Sequence, residues 1–378
     1  MFGVAWWSAT PDIGVKAEGE RLARMTASPQ WDGRAFANRL SQVDSSFWQM
    51  LEKGMGENTA IEQPEEPLPV VKRSGSEFSE LPLSGLRVTW LGHSTMLVEI
   101  DGVRVLVDPI WATHASPWSS MGPARFYAPL LPLNELPDVD VILISHDHYD
   151  HLDFETVSRL KDRAVRWLVP LGVGAHLAYW GVSTTRITEL DWWEDITVKD
   201  VTLTATPARH FSGRWVDRFL STLWVGWALR GPEHAVFYSG DTGFHPEFQE
   251  IGERLGPFDL TMMESGAYAS TWTDVHLGPE QAVIAHKLVG GEVMLPVHWG
   301  LFDLAYHGWS EPVERVLAAA ERLDVTVVTP RPGASVELSD IYRVDRWWPV
   351  TSQNIYQTDP VWSSEVQPLL EQSWGLED

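Results

Sequence analysis

The chain has 378 residues, 44% of them hydrophobic, which suffices for a substantial core in one large domain or two. Its 52 acidic against 28 basic residues give a formal charge of −24, a field that repels nucleic acid and weakens electrostatic attachment to anionic lipid. The absence of cysteine excludes disulfides, thiolate metal ligands and cysteine nucleophiles, so any transition metal must sit on histidine and carboxylate.

From the N-terminus, MFGVAWWSATPD lacks a basic n-region and its apolar run is short for a secretory signal, so the cytoplasm is the expected compartment. Residues 1–80 read as an extension packed on the main domain, with one helix expected over 36–51 from Leu40, Val43, Phe47 and Leu51. The main domain is expected over 81–345 and a C-terminal tail over 346–378. From Leu86 the pattern turns to strands: LRVTWLGHS, TMLVEI and VRVLV, the last two joined by Asp101-Gly102, a hairpin signal. Residues 112–138, carrying SPWSSMGPARFYAPLLP, predict a loop long enough to be functional.

The stretch VILISHDHYDHLD, residues 141–153, organises the rest. Residues 141–144 are apolar and β-branched with no helical period, which suits a strand buried on both faces. Three histidines and two aspartates then fall within 145–151, too much ionisable chemistry to follow a buried strand without a ligand. Period-2 geometry puts His146 and His148 on one side, while the turn after Tyr149 brings Asp150 and His151 to a neighbouring point, giving two clusters and hence two metals. Asp153 reads as a helix N-cap, with Leu152 and Val157 as a hydrophobic staple.

Beyond it, strands are predicted over 167–169, 185–189, 195–198, 201–205, 221–229, 235–238, 259–263, 292–297 and 325–328. Helices are predicted after Gly172 and over 247–254, 279–287 and 312–322. The longest apolar region, 167–182, is interrupted by Pro170, Gly172, Gly174 and His176, too broken and too short to span a bilayer. Three more ligand-competent side chains sit where strands end: His210 in TPARHFSGR, Asp241 in YSGDTG and His298 in LPVHWG.

SHDHYDHLD resembles the HxHxDH signature of the metallo-β-lactamase superfamily, with His210, Asp241 and His298 in its order. WLGHSTMLVEIDG, VDPIW, SPWSSMGPARF, GDTGFHPEF and PVHWGLFDLA are similar to the branch containing N-acyl phosphatidylethanolamine-hydrolysing phospholipase D and its bacterial relatives. The resemblance covers residues 87–312 and implies an α/β fold, a four-layer αββα sandwich with the metals at one edge between two sheets. It further implies that His146, His148 and His210 hold one ion, that Asp150, His151 and His298 hold the other, and that Asp241 bridges them. Two zinc ions suit these donors, and manganese or iron fit the same set.

The activity implied is phosphodiester hydrolysis by a hydroxide bridging the metals and oriented by Asp150, with hydrolysis of an anionic or sugar-phosphate lactone as the alternative. His276, in TDVHLGPEQA, matches a branch histidine placed to contact the substrate phosphate, beside Pro279 at a helix start. Asp108 reads either as a carboxylate fixing a ligand imidazole or as a turn residue, and His93 either as lining the site or as structural. Arg125 reads as a partner for phosphate or for a second subunit, leaving a homo-oligomer open. His114, His176, His234, His245, His286 and His307 read as structural or solvated. Asp147 departs from the animal enzymes' neutral residue and is expected to add negative charge near the metals. The expected partner is an anionic small molecule or a phospholipid, met peripherally through Phe2, Trp6, Trp7, Trp118, Met121 and Phe126; no nucleic acid is expected.

Overall fold

The computed structural model describes residues 11–42, 62–215, 220–338, 345–349, 360–366, 370 and 373. Two seven-stranded sheets face each other. The first contains β1 (Leu86–Gly92), β2 (Thr95–Ile100), β3 (Val103–Val107), β4 (Val141–Leu143), β5 (Arg166–Pro170), β6 (Ile187–Leu190) and β14 (Ser335–Glu337), in the order β14-β1-β2-β3-β4-β5-β6. The second contains β7 (Asp195–Val198), β8 (Val201–Thr206), β9 (Gly226–Arg230), β10 (Ala235–Tyr238), β11 (Phe258–Glu264), β12 (Gly291–Val297) and β13 (Thr326–Val327), in the order β13-β12-β11-β10-β9-β8-β7. Each sheet is built alike. An antiparallel run passes at β3 or β10 into parallel strands, which need helical crossovers and so carry helices on the outer face.

Those helices are α2 (Phe154–Leu160) and α3 (Val173–Tyr179) on the first sheet, and α4 (Glu247–Leu255), α5 (Pro279–Leu288) and α6 (Glu311–Leu323) on the second; α1 (Gly19–Thr26) precedes the sheets. The result is the αββα sandwich. Alternation within strands makes its layers: Val105, Val107, Val141 and Leu143 enter the core between the sheets, while Leu106, Ile142 and Ile144 face α2 and α3. The Asp101-Gly102 turn has φ of 46° and 86°, the left-handed pair that a two-residue hairpin demands. Asp153 caps α2 by accepting from Thr156 N at 2.7 Å, with Leu152 and Val157 both buried.

Several predictions of local structure differ from the fold. Residues 36–42 contain no helix, since Phe36 instead forms a bridge with Trp31, and the remainder of the 36–51 prediction lies outside the described residues. Residues 221–225 are not the start of β9. Leu223 N donates to Leu171 O and Val225 N to Ser145 O, so this stretch crosses to the first sheet before β9 begins. The strand expected from 185 starts at Ile187, after a 3-10 turn at Thr184–Arg186. Among the described residues no helix is long and apolar enough to cross a membrane.

Candidate metal centre

The strands of both sheets end at one edge, and the side chains just beyond them converge. His146, His148, Asp150 and His151 follow β4; His210, Asp241 and His298 follow β8, β10 and β12. His146, His148 and His210 present ring nitrogens to one another, with His148 Nδ1 2.9 Å from His146 Nε2 and 3.2 Å from His210 Nε2. Asp150, His151 and His298 form a second group, Asp150 Oδ2 lying 3.3 Å from Nε2 of both histidines. Asp241 Oδ2 sits between the groups, 2.9 Å from His298 Nε2 and 3.1 Å from His151 Nε2, and 3.8 and 3.9 Å from Nε2 of His146 and His210. All seven candidate ligands predicted from the sequence are thus brought together.

The donor set fits metal ions. His151 Nε2, His298 Nε2 and Asp241 Oδ1 are buried and form no hydrogen bond of acceptable geometry, although His298 Nε2 is 2.9 Å from Asp241 Oδ2. These atoms aim at shared points and not along each other's lone pairs. Nitrogens on a tetrahedron of roughly 2.0–2.1 Å metal bonds lie about 3.3 Å apart, close to the spacings within each group.

Several of these side chains are oriented from behind. Asp108 Oδ2 accepts from His151 Nδ1 at 2.8 Å, from Ser145 Oγ at 2.6 Å and from the Tyr238 hydroxyl at 2.6 Å, while Oδ1 accepts from Ser145 N at 2.7 Å. Asp108 is therefore the carboxylate that fixes a candidate ligand, the first of its two readings. His210 Nδ1 donates to Val275 O at 2.6 Å. His93 Nε2 donates to Asp150 Oδ2 at 2.9 Å, with its ring 4.1 Å from that of His298, so His93 lines the site. His93, Asp108 and His298 have φ of 53°, 37° and 65°, conformations that non-glycine residues hold only when the surroundings over-determine them. Packing beside His298 is close enough that a Cβ at Gly266 would lie 1.7 Å from His298 O.

Burial and neighbouring charge split the histidines. Burial lowers the pKa of His146, His148 and His210, aided at His146 by His151 and at His210 by His276, which keeps these rings neutral. Burial opposes the charged forms of His151 and His298 too, but Asp241 and Asp150 outweigh it, raising His151 well above its usual range and pushing His298 up to about 10. Burial likewise works against ionised Asp150 and Asp241. His151 dominates the opposing charge on both, and each carboxyl is held well below the usual carboxylate range.

His276 sits at the rim, its side chain 13% exposed and its Nδ1 4.0 Å from Asp241 Oδ2. Its orienting partner escaped the sequence reading: Nδ1 donates at 2.8 Å to Oε2 of buried Glu264, whose Oε1 also accepts from Thr242 N and Leu277 N. The signal was available, since Glu264 ends an apolar strand as Asp241 and His298 follow theirs.

Asp147 stands behind the loop, its Oδ1 accepting from Gly213 N at 2.8 Å and its Oδ2 3.4 Å from His176 Nε2, and its charge still acts on His148 against burial, so it adds negative charge beside the ligands as expected. Two expectations need correction. Arg125 donates to the carbonyls of Ile110, Ala112 and Tyr127, which makes it a loop tie and leaves its phosphate and subunit readings without support. Phe126 is edge-on to Trp309 and packs against the central core, so it is no surface anchor. Met121 is 60% exposed, and the Trp118 ring meets Trp215 at 6.3 Å, while Phe2, Trp6 and Trp7 lie outside the described residues.

Comparison with known proteins gives the family. Residues 103–299 match the model of the β-lactamase superfamily domain. An uncharacterised protein of Mycobacterium tuberculosis is 51% identical over 269 residues, 70% of this chain and 72% of that protein. N-acyl-phosphatidylethanolamine-hydrolyzing phospholipase D 1 of Caenorhabditis elegans is 38% identical, covering 72% of this chain and 81% of that enzyme. A metal-dependent hydrolase of Methanopyrus kandleri is 30% identical over 67% of this chain and all of its own length. Among solved structures, a metallo hydrolase of Ignicoccus hospitalis matches with a TM-score of 0.51 at 23% identity, over 66% of this chain and 97% of that one, a likeness of fold.

Proposed function

Because the chain belongs to the β-lactamase superfamily and is a metal-dependent hydrolase of that fold, we propose that it hydrolyses a phosphodiester, with an N-acyl ethanolamine phospholipid as the substrate class. The observation that carries this reading is Asp241 Oδ2 standing within 4 Å of histidine nitrogens from both groups, the arrangement a bridged pair of ions requires. The sequence similarity to the nematode phospholipase supplies the substrate class.

His146, His148 and His210 would hold one ion and Asp150, His151 and His298 the other, with Asp241 common to both. When bound, two zinc, manganese or iron ions leave a local charge of roughly +2, lower the pKa of water and polarise a phosphoryl oxygen. Asp150, fixed by His93, orients the attacking water by accepting its hydrogen bond. His276, its Nδ1–H engaged by Glu264, presents Nε2 at the rim, from which the doubly protonated ring would donate to a non-bridging phosphate oxygen. Phe211, whose ring lies 4.5 Å from His148 and 4.7 Å from His210, covers the apolar side of this entrance, with Trp118 and Trp215 paired in the neighbouring loops. Exposed Met121, in the loop that carries Trp118, supports reading that loop as the surface for acyl chains or a peripheral membrane contact.

The deciding experiment is a panel of phospholipids, soluble phosphodiesters and lactones on metal-replete protein. Phosphatidic acid and a free N-acyl ethanolamine are the expected products from N-acyl phosphatidylethanolamine. Exclusive turnover of ring esters to carboxylates would replace the proposal with a lactonase.

A further inference from the structure

We infer that the N-terminal segment, residues 11–42, braces the ligand set of one ion, gripping His210 directly and the His146–His148 turn through Asp147. The inference rests on the reading above, in which His146, His148 and His210 share an ion.

His210 lies beyond the end of β8, where no strand partner fixes its backbone. Asn38 from the extension does so at two points: its Nδ2 donates to His210 O at 2.7 Å, and its Oδ1 accepts from His210 N at 3.1 Å. The same Oδ1 accepts from Trp224 Nε1 at 3.0 Å, which holds the amide against a fully buried ring. Gln42 Nε2 adds a second donor to His210 O at 3.1 Å. Both backbone polar groups of a candidate ligand are therefore satisfied by side chains of the extension.

The other end reaches the turn that carries His146 and His148. His176 stands between: its Nδ1 accepts from Val15 N at 3.1 Å and its Nε2 faces Asp147 Oδ2 at 3.4 Å. Arg214 links the same pieces, donating through Nη1 to the carbonyls of Asp147 and Leu152 at 2.6 and 2.7 Å and through Nε to Asp12 O at 2.7 Å. Asp147, His176 and Arg214 are all buried. The fit requires glycine at position 14, where φ is 70° and a Cβ would lie 2.2 Å from His176 Nδ1. Between its ends the segment is pinned by Arg21 to Glu189, Arg24 to Glu194, and Phe36 N to Leu220 O.

The second ligand set is supported differently. Asp150 takes its bond from His93, His151 gives its own to Asp108, and His298 N donates to His93 O at 3.1 Å. These supports come from loops of the first sheet. The two frameworks meet at Asp108, whose partner Ser145 also places its Oγ 2.9 Å from His146 Nδ1. Asn38 touches only the first set, so that set can be loosened by itself, and losing an outer partner of a ligand costs roughly 10- to 100-fold in metal affinity.

The test is titration of metal-stripped full-length protein with Zn²⁺ against a competing chelator that resolves both sites. Asn38→Ala should weaken one site by about 10- to 100-fold and leave the other within about threefold. In a His210→Ala background it should add nothing, whereas in a His298→Ala background its effect should persist in full. Asn38→Asp keeps the acceptor for His210 N–H and should recover part of the affinity. The Arg21→Ala/Arg24→Ala pair, remote from every ligand, should weaken the same site to a lesser degree. Wild-type affinities in Asn38→Ala, or equal loss at both sites, overturn the brace while His210→Ala still shows its defect. Two wild-type affinities in His210→Ala overturn the ligand reading itself, and the brace with it.

Discussion

Asp241 Oδ2 lies within 4 Å of nitrogens from both histidine groups, so Asp241→Ala should lose metal and activity together, with elemental analysis falling well below two ions per chain. Near-wild-type kinetics in this variant would refute the bridging role. His276→Ala should keep both ions and lose about 10- to 1,000-fold in kcat/KM, the order of one positioning contact; loss of metal would make it a ligand or a structural support. His298 gives a pH prediction. Without an ion its pKa stands at about 10 because Asp241 and Asp150 overcome burial, so below that pH a bound ion must displace a proton. Metal uptake at neutral pH should therefore release protons, and affinity should fall with pH; calorimetric heats independent of buffer ionisation would contradict this. For the metal-free protein the linkage runs the other way. The raised pKa gives stability that is whole below about 6.5 and is lost as pH climbs through about 10.

At the scale of elements, α5 lies on β11 through a buried histidine. His286 Nδ1 is 2.7 Å from Thr261 Oγ1, and burial, with Lys287 adding, pushes its pKa down to about 4. The unfolded chain takes up this proton first, so the contribution is intact above about 6.5 and is lost as pH falls toward 4. Its size is roughly 3 kcal/mol by linkage. His286→Gln should flatten this part of the acid limb in denaturant titrations between pH 7.5 and 4.5, and an unchanged limb would count against the assignment. The stretch from β4 into α2 was legible because strand, ligand loop and cap each leave a local signature. Residues 221–225 were not, since an apolar run reads the same whether it extends its own sheet or crosses to the other. β14 was missed for a related reason: three residues with one buried valine carry no alternation, and only pairing with β1 makes them a strand. Asn38 had no signal at all, because a lone asparagine in coil becomes meaningful only once His210 is beside it.

Across the whole molecule, the first sheet contributes His146, His148, Asp150 and His151 and the second contributes His210, Asp241 and His298, so ions held there tie the two sheets at their shared edge. Chelation should lower Tm in a single cooperative step, since each site filled at a thousandfold excess over its Kd adds about 4 kcal/mol. An unchanged Tm after verified metal removal would argue against the shared site. The charge of −24 acts at longer range and opposes an anionic substrate on approach. Hydrolysis of a short soluble phosphodiester should therefore speed up in kcat/KM as salt rises toward physiological strength, where the Debye length is about 8 Å. A monotonic fall would show that local attraction at the centre controls encounter.

The order of the ligands along the chain also bears on how the protein is made. Four of the seven candidates lie between residues 146 and 151, whereas His210, Asp241 and His298 come later in the chain. During synthesis the ribosome exposes a four-donor loop long before its partners from the second sheet. That loop alone offers carboxylate and imidazole to any divalent ion, with no geometry to discriminate among them. Selectivity would then depend on the second sheet closing over the first, which brings His210, Asp241 and His298 to that loop.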